Sequence, residues 1–357
     1  MSDDKASVGT AAGAEASRSH LHRVFALLSD LGGRTSPAES LEEDNFRVRE
    51  GFHNFRLETV EPEAPDRDYS QVERPADVNL VYFARMLQRT QLVGHFVHKG
   101  FEVPVHYAIT GTIILQRAGR KFRVWGQPEL RNNVLVPFQF VNDPAVLEQF
   151  SSDRELRLVD SGGDRPEYTQ LRIAAVRRAR ELTLEQRGRL YIRWLRAEGK
   201  DQTNFMAASG MVADVPNKWL TSNFVALARR VYVPWQNSEL LEPQLRIPAY
   251  GRGQVMSVIN TVGDDPMPKY TWFVRLRSSA QADPEFGLLR CTIVADSDSE
   301  ATTRADALSA RLIDERLPVT YPAENWDKLI FPLKLCQDFL SSLVPTRGTV
   351  KSYFARN

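Results

Sequence analysis

The side chains best placed to do chemistry lie on one long periodic segment and at the ends of the apolar runs around it. Between Tyr168 and Gly199, eight arginines (Arg172, Arg177, Arg178, Arg180, Arg187, Arg189, Arg193 and Arg196) occur among only three glutamates, Glu181, Glu185 and Glu198. A guanidinium stays charged at any physiological pH, and its planar fork suits phosphate oxygens. Arg177, Arg178, Arg180 and Arg189 are therefore candidate DNA-binding residues. The competing reading is a solvated helix face carrying pairs such as Arg177 with Glu181 or Glu185 with Arg189. Carboxylates stand nearby in sequence: Asp160 after Leu156-Arg157-Leu158-Val159, Glu181 and Glu185 within the arginine segment, Asp214 just past an apolar run at 205–212, and Asp338 near the C-terminus. Metal-assisted phosphodiester cleavage needs several oxygen ligands converging from strand ends and an adjoining helix face. Asp160, Glu185 and Asp214 form the candidate catalytic and metal-holding set, with Mg²⁺ or Mn²⁺ as the cofactor of an active enzyme.

Other chemistries lack their residues. The sequence has no GxxxxGK[ST] or GxGxxG run, no GxSxG elbow and no HExxH, which removes the usual phosphate loop, dinucleotide, serine-hydrolase and zincin signatures. All six histidines fall in the first third, and His95, His98, Glu102 and His106 match no established ligand spacing. Cys291 and Cys336 sit in no CxxC pair and read as small buried hydrophobes. Forty-six basic and 45 acidic residues nearly cancel, so attraction to nucleic acid must come from a local patch. No secretory signal or run long enough to span a bilayer is visible, and the expected location is the cytoplasm.

The elements that must position these groups follow from periodicity. Residues 1–19 hold almost no large apolar side chain and read as a disordered tail. Residues 20–76 read as an extension: a docking helix over His20–Leu31, closed by Gly32-Gly33, and then a long irregular connection from Arg34 to Ala76. The main domain is expected over 77–357. Its pattern predicts a helix from Asp77 to Leu92, then strands over Tyr107–Leu115, Lys121–Trp125 and Val134–Val141. A short helix after Asn142-Asp143-Pro144, the long helix Tyr168–Gly199, a strand over Phe205–Val212 and a helix over Pro216–Arg230 follow. Strands at Val255–Val262, Tyr270–Arg277 and Leu288–Val294 and helices at Glu300–Glu315 and Glu324–Leu343 complete the chain. Strands alternate with helices and also pair consecutively, which predicts an α/β fold with a mixed sheet flanked by helices.

Over roughly residues 105–345 the order of patterns resembles the NurA family of nucleases, which have a ribonuclease H-like core and work with the hexameric DNA translocase HerA. The resemblance runs through Ile109-Thr110-Gly111-Thr112, the long helix, Ala208-Ser209-Gly210 after a strand, and the strands Tyr270–Leu276 and Leu289–Val294. It ends on Leu329-Ile330-Phe331-Pro332-Leu333 before a helix. It implies a ribonuclease H-like fold, a divalent-metal nuclease centre, DNA as ligand, and a place as an oligomer or complex subunit beside a hexameric ATPase. Thr110 and Ser209 stand where the resemblance expects metal-binding aspartates, and Gln337 near a late histidine or aspartate, while Glu181 or Glu185 keeps the helix carboxylate. Neutral oxygens leave a hard cation's charge uncompensated, so the implied centre is degenerate. The alternative function is a non-catalytic scaffold or adaptor that uses the N-terminal segments as contact arms; an unrelated enzyme is a third reading.

Overall fold

The computed structural model describes residues 19–40, 55–141, 144–151, 156–199, 201, 203–210, 223–229, 235–260, 268–278, 283–318 and 326–356. The expected tail at 1–19 lies almost wholly outside them, as does Asp214. Twelve strands join one mixed sheet. Its centre is a long hairpin: β3 (Asn79–His98) and β4 (Phe101–Ala118) pair antiparallel along almost their full length, with a register shift between Leu92 and Gly94. Beyond β4 lie β5 (Lys121–Val124), the antiparallel β6 (Glu129–Val136) and the parallel β7 (Leu156–Asp160). On the other side of β3, β8 (Asn204–Ser209) and β9 (Phe224–Ala228) run parallel to it. The order β6-β4-β3-β8-β9, three antiparallel strands followed by two parallel ones, is that of a ribonuclease H-like core. The expected α/β class with a mixed, helix-flanked sheet is what the chain adopts.

Three antiparallel strands extend the sheet past β9: β12 (Leu288–Val294), β11 (Lys269–Arg275) and β10 (Met256–Asn260). The stretch from Arg34 to Ala76, read as irregular, supplies two strands of its own. β1 (Arg34–Ser40) pairs with the second half of β3, and β2 (Phe55–Thr59) closes the far edge against β10. The helix expected at Asp77–Leu92 is the first half of β3. Its apolar residues divide between two covered faces, and a strand buried on both sides loses the alternation that marks a half-buried one. His95 and His98 therefore share no helix face. The end of the helix expected at Pro216–Arg230 is β9, buried in the same way.

Helices cover both faces. The first, α1, spans 19–30 and buries Leu21, Val24, Leu27 and Leu28, as the docking-helix reading requires; Gly32, at φ +65°, ends it. After it come α2 (Pro144–Ser151), α3 (Tyr168–Glu198) and the short α4 (Leu241–Leu245). α5 (Asp298–Asp314), α6 (Phe331–Ser342) and α7 (Arg347–Arg356) close the chain. α3 lies on one face through Ala175, Ala179, Leu182 and Leu190, against Ala108, Ile114, Leu135 and Tyr82. α5 and α6 pack on the opposite face around Phe83, Ile113 and Trp272. α5 begins on a cap: Ser297 Oγ accepts from Glu300 N, satisfying a donor that helix geometry leaves over, and Glu300 Oε2 accepts from Asp296 N just before the helix. Among the described residues no helix is long and apolar enough to cross a membrane.

Candidate nucleic-acid interface

α3 stays helical through eight arginines because its buried stripe, from Leu171 to Trp194, is apolar enough to hold it to the sheet. The outward side gathers charge. A cavity of about 640 Å³ opens between its first turns and the β7–α3 loop, lined by Asp160, Gly162, Asp164, Arg165, Arg177 and Arg178 among others. Gly162 and Gly163 both have positive φ there, which lets the loop turn sharply off the strand. Arg177 and Arg178 thus meet at one concave surface, while Arg180 is exposed on the same helix.

The charge pairing differs from both intrahelical pairs expected from spacing. Arg178 reaches Glu181 at 2.8 Å and Glu185 at 3.5 Å. Arg189 lies 3.5 Å and Arg193 2.6 Å from Glu129 on β6. Sequence spacing could not reveal Glu129, because it comes from another element.

Of the candidate metal set, Asp160 is exposed at the end of β7, where its Oδ1 accepts from Phe138 N at 3.0 Å and Gly162 N at 2.9 Å. It shares the cavity with Glu181, and Glu185 is exposed and held by Arg178. Asp338, on α6, is ion-paired with Lys334. Among the described residues no group of three or more His, Cys, Asp or Glu is placed to hold a metal ion.

In open α/β sheets, ligands bind beyond the carboxyl ends of parallel strands at the point where the strand order reverses. Here that point is the boundary of β3 and β8. The pairing of the two strands ends with Ala84 opposite Ala208, and β1 takes up the same edge of β3 only at Gln91. Among the described residues, no strand pairs with Met86–Thr90 on this side. The crevice has two faces: on the α3 side Met86 of β3 and Gly210, just past β8, lie beside Arg187, and on the α5–α6 side lie Arg85 of β3 and Ser209 of β8. Gly210 sits at φ +130°, and a Cβ there would lie 2.8 Å from Arg187 Nη1, so only glycine lets the guanidinium approach so closely. Thr110, by contrast, is on β4, wholly buried opposite Gln88, with its hydroxyl 3.3 Å from Asn133 Nδ2. It does not border the crevice. The hallmark missed in the sequence was Arg85, a charge in the middle of the run Leu80–Leu87.

No protein-family model matches this chain, and no curated protein matches it. Among solved structures it is similar to the NurA nuclease from Sulfolobus solfataricus, at 9% identity and a TM-score of 0.42, over 80% of this chain and 85% of that one.

Proposed function

We propose that this chain is a cytoplasmic, NurA-like subunit that holds DNA beside a HerA-type hexameric ATPase in DNA end processing or defence, with a degenerate nuclease centre. The observation that carries the reading is the cavity on α3 that gathers Arg165, Arg177 and Arg178 beside Asp160, Asp164 and Glu181, next to a strand end that bears Arg187 on one face of the sheet and Arg85 on the other. A cationic border repels the divalent ion that phosphodiester cleavage requires. Arg177, Arg178, Arg180 and Arg189 serve as the DNA contacts, with Arg178 and Arg189 released for this from Glu181, Glu185 and Glu129.

The test uses the full chain with linear DNA. Replacing Arg177 and Arg178 by alanine is expected to weaken binding and to lower the slope of log affinity against log salt by about one per lost phosphate contact. Unchanged binding removes the reading. Incubation with Mg²⁺ or Mn²⁺ is expected to give no cleavage. Cleavage that disappears in Glu185→Ala would instead make Asp160, Glu185 and Asp214 an active metal set and overturn the degenerate centre.

A second reading, a non-catalytic adaptor, is favoured by one feature. Phe331, Phe339 and Leu343 are exposed on α6 with the half-buried Leu335 between them, and their spacing of four places them in one stripe. A contiguous apolar stripe on a surface is a candidate contact site for another protein.

A further inference from the structure

Among the described residues, the strand end carries a cation, Arg85, without a hydrogen-bonded or ion-paired partner. Arg85 is half-buried on β3, between Ile113 of β4 and the end of β8. Its Nη1 is buried and has no hydrogen-bond partner, and among the described residues the side chain makes no hydrogen bond or ion pair. The side chains at alternate positions, Phe83 on β3, Ala207 on β8 and Leu227 on β9, all face the core beneath α5 and α6. Arg85 and Ser209 continue that face at the open end of the sheet, and Arg229 follows at the end of β9.

The charges around Arg85 do not neutralise it. Arg229 acts on it as a like charge, and Asp338 is the nearby carboxylate, already paired with Lys334. Desolvation and Arg229 together pull the guanidinium down to about 10, still charged at neutral pH. Gln337, between Cys336 and Asp338 on α6, has a buried Oε1 without a donor. A buried guanidinium without a counter-charge is costly, and a planar fork with free N–H groups is the usual receptor for an oxyanion.

We infer that Arg85 forms a binding site for a phosphate group at the carboxyl end of β8, where the strand order reverses. The anion is bound directly by guanidinium. The source of the phosphate group, a nucleic-acid backbone or a free anion, is where the inference rests on the function proposed above.

Two measurements on the full chain test it, using wild type, Arg85→Met and Arg85→Lys. Thermal unfolding in sodium phosphate is compared with sodium chloride at matched ionic strength, and a short single-stranded oligonucleotide is titrated by fluorescence anisotropy. At ten times Kd, phosphate is expected to raise the wild-type Tm by about 2 °C, with no rise for R85M and less than half of it for R85K. If R85M does not fold, R85K, which keeps the charge but loses the fork, must still show the reduced shift. Oligonucleotide affinity is expected to fall about tenfold in R85M if the phosphate belongs to a backbone, and to stay unchanged if a free anion occupies the site. A wild-type Tm that phosphate does not raise above chloride, or an equal rise in R85M, overturns the inference. Loss of DNA binding on replacing Arg177 and Arg178, with no phosphate effect at Arg85, sinks this inference and leaves the proposed function standing. A phosphate shift abolished in R85M in a protein that binds no DNA does the reverse.

Discussion

His106 lies in the middle of β4, paired with Leu92 of β3 and Leu135 of β6. It is wholly buried, and neither ring nitrogen has a hydrogen-bond partner. Burial, reinforced by the positive charge of Arg172, lowers its pKa from 6.5 to about 3. The folded state therefore holds the ring neutral, whereas the unfolded chain protonates it below pH 6.5. The unfolded state binds the extra proton, so this contribution to stability is complete above pH 6.5 and declines as the pH falls toward 3. At pH 5 the loss is RT ln(1 + 10^1.5), about 2 kcal/mol, and the figure requires only that the folded pKa lie well below 5. Urea unfolding of wild type and His106→Leu at pH 7.5 and pH 5.0 isolates the group, because every other titration is common to both proteins. Wild type is expected to lose about 2 kcal/mol more than the variant over that interval. The variant should also match or exceed wild type at pH 7.5, since it removes two buried polar atoms that have no partner. An equal pH dependence in the two proteins would refute the argument by showing that water or a polar group reaches the ring.

Two further perturbations probe how the N-terminal segments are fastened. Arg252 is buried, donates to both carboxylate oxygens of Glu61 at 2.6 and 2.8 Å, and donates through Nε to Asp306 at 2.6 Å. Arg252→Met leaves Glu61 without its cation and Asp306 with only Arg67 at 4.0 Å, and should cost about 2–4 kcal/mol, read by chemical denaturation; a loss below about 1 kcal/mol would mean that solvent already screens the cluster. At Gly94, a Cβ would meet Arg34 O at 2.5 Å and Leu28 Cδ1 at 2.7 Å. Gly94→Ala should therefore loosen α1 and β1 at a cost of about 1–3 kcal/mol, with faster amide exchange confined to residues 19–40, whereas uniform acceleration would point to global destabilisation.

The sequence made some elements readable and concealed others for physical reasons. α3 and α5 were legible because one side of each faces solvent, so their apolar residues recur at helical spacing. β3 was not: a central strand covered on both faces lacks a polar side to set the period. β9, as Phe224-Val225-Ala226-Leu227-Ala228, is an apolar run too short for periodicity to separate strand from helix. β1 and β2 carried no local signal, because β1 contains a proline and the partner of β2 lies some 200 positions along the chain. Within the candidate interface, the arginines were visible as a composition bias on one helix. The choice of partners, Arg178 with two glutamates and Glu129 with two arginines, depends on which strand the helix crosses. Arg85 escaped notice because a lone charge in an apolar run is informative only once the open strand end beside it is known.

The distant partner of β2 has a consequence for the order of assembly. The hairpin of β3 and β4 closes through a two-residue turn at Lys99 and Gly100 and needs no other part of the chain to begin forming, so it is suited to form early. β2 is synthesised before that hairpin but, among the described residues, pairs with β10 alone, which leaves the ribosome nearly 200 residues later. Until then Phe55 and Leu57, both buried in the finished sheet, must wait without their strand partner. A nascent chain stalled before Met256 would thus expose an unpaired apolar edge, the kind of surface on which chaperones act and aggregation begins.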